Sequence, residues 1–86
     1  MEQIKLRNIE FRWSEEYQRY ELIKWNGDPY YFTIALYDKT DRGYELRIVR
    51  PSLFFQDKDS WTVAKHSITF LKRDFDQNIT AEEVDT

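Results

Sequence analysis

Residues 30–50 read YYFTIALYDKTDRGYELRIVR, and this stretch decides the fold class. Phe32, Ile34 and Leu36 alternate with Tyr31, Thr33, Ala35 and Tyr37, the period-two pattern of a strand with one buried face. Lys39-Thr40-Asp41-Arg42-Gly43 then turns the chain into a second run, Tyr44 to Arg50, with Tyr44, Leu46 and Ile48 in phase. Two alternating runs joined by a short polar segment predict an antiparallel hairpin.

Upstream the pattern repeats. Residues 4–13 read as one strand, with Ile9, Phe11 and Trp13 alternating with Asn8, Glu10 and Arg12. Ser14, Glu15 and Glu16 turn the chain into Tyr17 to Trp25, where Tyr20 and Leu22 share one face and Glu21, Ile23 and Trp25 the other, leaving the buried side open. Asn26-Gly27-Asp28-Pro29 is the strongest turn signal, because Asn-Gly accepts positive φ and proline lacks the N–H that a ladder needs.

Downstream the period changes. Pro51 ends the last strand and Leu53, Phe54 and Phe55 form an apolar connector. Trp61, Ala64, Ile68, Leu71 and Phe75 then recur at intervals of three and four, which predicts a helix over 59–75. Asp57 or Asp59 would cap its start, and Lys72 and Arg73 would meet the negative end of its dipole. Two short strands compete for the same residues, since Thr62, Val63, Ile68, Thr69 and Phe70 are strand formers.

The expected architecture is therefore α+β, a four-stranded antiparallel meander with one C-terminal helix packed on the sheet; a small all-β barrel is the second choice. The expected core is Phe11, Phe32, Ile34, Leu36, Leu46, Ile48, Trp61, Ala64, Ile68 and Leu71. Residues 1–76 form one domain and 77–86 an acidic tail, too poor in apolar residues to order itself.

Eighty-six residues leave no room for an enclosed catalytic cavity of ordinary size. Fifteen aromatic residues, three Trp, six Tyr and six Phe, supply the apolar area that such a short chain needs to stand without staples. The absence of cysteine excludes disulfides, thiolate zinc sites and thiol catalysis, and fits a reducing cytoplasm. No apolar run is long enough to span a membrane, and the N-terminal residues lack the layout of a signal peptide. Charge is uneven: residues 1–56 carry nine Lys/Arg against nine Asp/Glu, residues 57–73 four against two, and residues 74–86 none against five.

Groups that carry chemistry are scarce. His66 is the single histidine and falls off the apolar stripe of the expected helix, with no positioned second group for acid–base work. Asp57 with Asp59, and Asp38 with Asp41, are too few for a hard-cation site and read as a helix cap and a hairpin turn. Gly27 and Gly43 are isolated in turns, so no phosphate-binding loop is present. No catalytic residue, metal or cofactor is expected.

The alternation places Tyr31 and Tyr37 opposite Phe32, Ile34 and Leu36, with Arg47 opposite Leu46 and Ile48 in the next strand. Tyr31, Tyr37 and Arg47, joined by Trp25, are the candidate partner-binding residues. Aromatic rings interleaved with guanidinium groups can stack bases. They also match the composition of protein interfaces. Residues 1–56 carry no basic surplus, which favours a protein partner over nucleic acid.

Tyr31-Phe32-Thr33-Ile34-Ala35, then Gly43-Tyr44-Glu45-Leu46-Arg47, then Asp57 through Trp61 to Ala64-Lys65 resemble a pattern in small proteins of phages and prophages of Gram-positive bacteria. The likeness covers about half the chain, in short core-type motifs that transfer no catalytic residue. The chain departs from the pattern where His66 and Ser67 replace the glycine that often follows the Ala-Lys pair. The resemblance implies a small accessory protein of anti-defence type, anti-CRISPR proteins being one such class. Such a protein would bind and inhibit a bacterial host protein, a defence nuclease or other nucleic-acid enzyme, in the host cytoplasm. A single-stranded nucleic-acid binder using the same face is the alternative.

Overall fold

The structure, a computed structural model, describes residues 4–77. Apart from residue 77, the expected acidic tail lies outside the described residues. The chain runs β1 (Ile4–Leu6), β2 (Ile9–Ser14), β3 (Arg19–Trp25), β4 (Tyr31–Thr40), β5 (Gly43–Ile48), α1 (Pro51–Gln56) and α2 (Lys58–Gln77). Each strand pairs antiparallel with the next, in the spatial order β1-β2-β3-β4-β5. The expected α+β meander with its C-terminal helix is present, with five strands among the described residues in place of four.

The fifth strand comes from dividing residues 4–13. Arg7 takes a left-handed φ of 55°, and the chain folds back through Arg7 and Asn8 so that Ile4 pairs with Phe11. Asn8 is anchored to β3, its carbonyl accepting from the Trp25 amide at 2.8 Å. The residues after β5 also depart from expectation: the strand stops at Ile48, ahead of Pro51, and the proline, preorganised for the first turn of a helix, opens α1 over 51–56, with Phe54 buried.

An irregularity in β4 governs which side chains share a face. Leu22 pairs with Ala35 but Ile23 pairs with Thr33, so Ile34 is an extra residue, a β-bulge. The alternation slips by one there. Ile34, Ala35 and Tyr37 all enter the core beneath the helices, whereas Tyr31, Thr33 and Leu36 belong to the opposite face. Tyr37, expected on the free surface, is only 3% exposed, and Leu36 changes sides.

The core contains Ile9, Phe11, Leu22, Ile34, Ala35, Tyr37, Phe54, Val63, Ala64 and Leu71. One part of it is a chain of rings: Trp13 lies 4.8 Å from Tyr20, Tyr20 5.2 Å from Phe11 and 6.0 Å from Tyr44, and Phe11 5.2 Å from Tyr37. Phe70 and Phe75 join it from α2. Much of the aromatic surplus is thus spent on packing.

Helix α2 starts where expected, with the Asp57 carboxylate accepting from the Asp59 amide at 2.9 Å. Its buried stripe is rotated from the expected one. Ser60, Val63, Ala64, Ser67 and Leu71 face the sheet, while Trp61 is 50% exposed; Phe32 is also exposed. Small side chains at 60 and 67 let the helix approach closely, and Ser67 returns its hydroxyl proton to the Val63 carbonyl at 2.6 Å. The helix continues to Gln77, so Lys72 and Arg73 do not reach its last turn as expected.

Candidate interaction surface

With α1 and α2 on one side, the other side of the sheet carries no helix among the described residues. From the strand registers it presents Lys5, Glu10, Arg12, Ser14, Arg19, Glu21, Ile23, Trp25, Tyr31, Thr33, Leu36, Asp38, Glu45 and Arg47, of which only the central members shape the site. Ile23 is fully buried there and Glu21 is 1% exposed, although no helix of the described residues covers them. Side chains of the neighbouring strands do the covering.

Arg12 on β2 sits across from Glu21, and Tyr31 on β4 sits across from Trp25, with Ile23 between these two positions on β3. The Arg12 guanidinium meets Tyr31 diagonally over Ile23. Its carbon lies 4.6 Å from the ring centroid, and Nη2 donates to the tyrosine hydroxyl at 3.1 Å. Trp25 packs edge-on against Tyr31, centroids 5.3 Å apart. The indole N–H donates to Glu10 at 3.3 Å, and Lys5 lies 3.9 Å from the same carboxylate oxygen.

The floor is ionic. Arg19 donates through Nε and Nη2 to one oxygen of Glu21, at 3.2 and 3.1 Å, and the Thr33 hydroxyl approaches that oxygen at 3.5 Å. A carboxylate this deeply covered is tolerable because a guanidinium and a hydroxyl, from two different strands, donate to it. Further along, Arg47 clamps Asp38 with bonds of 2.8 and 3.3 Å, and holds its carboxyl below the ordinary aspartate range.

Of the residues singled out from sequence, the structure brings Trp25 and Tyr31 into contact. Arg47 lies on the same face but is engaged with Asp38 on the β4–β5 side, so it frames the surface rather than joining the aromatic pair. Tyr37 is removed from the site: it lies in the core, where burial pushes its hydroxyl pKa upward and neighbouring Ser67 opposes this only in part. The bulge at Ile34 is the reason. Arg12, Glu10 and Glu21 were missed, since charged residues on a strand read as solvated; the available signal was their alternation with Phe11, Leu22 and Trp13.

His66 is exposed on α2. Asp57 caps α2, and Asp59 pairs with Arg7 at 3.3 Å. Among the described residues no group of three or more His, Cys, Asp or Glu could hold a metal ion, and no helix is long and apolar enough to cross a membrane. Comparison with known proteins finds no matching family model, curated protein or solved structure.

Proposed function

We propose that this chain is a non-catalytic binding protein that engages a protein partner through the helix-free sheet face, with Tyr31, Trp25 and Arg12 at its centre and Arg47 at its rim. The observation that carries the reading is the aromatic pair held in place by Arg12 and Glu10. Tyr31 remains 37% exposed while its orientation is fixed from below. Aromatic and arginine side chains that are already immobilised lose little entropy on docking, and they are the residues in which interface energy concentrates.

Charge favours a protein over nucleic acid. Lys5, Arg12, Arg19 and Arg47 on this face are matched by Glu10, Glu21, Asp38 and Glu45, so the face carries no net attraction for phosphates. In partner class the proposal follows the phage resemblance: a mobile-element product that inhibits a bacterial host protein, a defence nuclease being the favoured target.

The test is capture from bacterial lysate with the tagged protein, with and without nuclease treatment, using wild type and a folded Tyr31→Ala variant. One stoichiometric protein should survive nuclease, and its affinity should fall by about 2 kcal/mol in the variant. Equal capture by both proteins would remove this face as the site. Retention of nucleic acid alone would establish the alternative reading.

A further inference from the structure

The two edges of the sheet are built differently. β1 is three residues long and carries Lys5, the kind of short, charged edge that resists pairing. β5 has six residues, no proline within it and no bulge against β4, and its outer edge is unpaired among the described residues. Such an edge is a template for another strand.

Its charges are unbalanced in a specific way. Glu45 stands directly across from Asp38, two carboxylates in register, and the nearby cation, Arg47, is committed to Asp38. Glu45 has no ion pair or hydrogen bond to any described residue. On the helix side, a groove of about 380 Å³ runs between β5 and α2, lined by Leu46, Trp61, Ala64, Lys65, Ile68 and Thr69. Its one strand residue, Leu46, belongs to the strand whose outer edge is unpaired among the described residues.

We propose that β5 is the interface of a two-fold symmetric dimer, in which two copies pair antiparallel about Leu46 so that Glu45 of each faces Arg47 of the other. This register sets Tyr44 against the second copy's Ile48 and Leu46 against Leu46, all on the helix side. The charged pairs fall on the helix-free side, and Arg47 then bridges Asp38 of its own chain and Glu45 of the other. A slip of one residue sets Glu45 against Leu46 and reverses the faces. A slip of two sets Glu45 against Glu45, or Arg47 against Arg47. The register centred on Leu46 therefore pairs opposite charges while keeping the apolar residues together, the self-complementarity that a two-fold interface requires. The second copy's Leu46 and Ile48 would lie over the groove beside Trp61.

Sedimentation velocity on the full chain, from low micromolar to submillimolar concentration, tests the proposal. Wild type should move from a 10.6 kDa species toward twice that mass. Glu45→Arg should raise the dimer dissociation constant at least about tenfold, because it sets arginine against arginine. The variant should still fold, since the introduced guanidinium would face Asp38 within its own chain, and circular dichroism verifies this. Combining Glu45→Arg with Arg47→Glu should restore dimerisation by exchanging the charges. A monomer at every concentration, a dimer indifferent to Glu45→Arg, or a folded double variant that stays monomeric would each overturn the proposal.

Discussion

The diagonal contact of Arg12 with Tyr31 over Ile23 gives the sharpest prediction. An exposed cation over an aromatic ring contributes about 0.5–1 kcal/mol, and a hydrogen bond of this kind about 0.5–1.5 kcal/mol net. Tyr31→Ala also removes the edge-on packing on Trp25, about 0.5–1.5 kcal/mol, so its total cost should be about 1.5–4 kcal/mol. Tyr31→Phe keeps the ring and should cost only the hydrogen bond, about 0.5–1.5 kcal/mol. If Arg12 and Tyr31 act as one cover, Arg12→Met and Tyr31→Ala should be non-additive, with a coupling of about 1 kcal/mol. Urea unfolding followed by tryptophan fluorescence measures all four corners of this cycle. Additivity within about 0.3 kcal/mol would show that the two side chains do not act together, and the burial of Ile23 would need another cause.

Three further outcomes follow from the same geometry. Tyr37→Phe removes a buried hydroxyl that makes no hydrogen bond within ordinary limits to any described residue, so stability should stay level or rise by up to about 1 kcal/mol and partner capture should be unchanged. Asp38 should titrate below the ordinary value of 3.8 in a carboxyl NMR series; because its folded pKa is lowered, its contribution to stability is complete above that value and fades as pH falls through the folded pKa, and Arg47→Gln should return the titration toward normal. Gly43→Ala should lower stability by about 1–2 kcal/mol in thermal melts, since Gly43 has a φ of 135° and an added Cβ meets nothing within 4 Å, leaving backbone strain as the cause.

The strands and the main helix were legible because their periods differ, two in residues 30–50 and between three and four after Trp61. What the pattern missed has physical causes. A bulge adds a residue without a compositional mark, so the alternation through Ile34 continued on paper and exchanged Leu36 with Tyr37. The β1–β2 turn uses Arg7 and Asn8, with neither glycine nor proline to announce it. The buried stripe of α2 includes Ser60 and Ser67, which a count of apolar residues passes over in favour of Trp61. The aromatic half of the candidate surface, Trp25 and Tyr31, could be named from sequence. Alternation with Phe11 and Trp13 could place Arg12 on that face, but not against Tyr31, because that contact depends on a diagonal across two strand pairings.

The bulged residue has a second effect, on cooperativity. The Ile34 carbonyl accepts from both the Val49 amide at 3.0 Å and the Arg50 amide at 3.1 Å, at the point where the chain leaves the sheet for α1. Those two amides join the strand layer to the helical layer, so opening one loosens the other. Native-state hydrogen exchange should find that β4, β5 and the helices lose protection together, as a single unit with no separately stable hairpin.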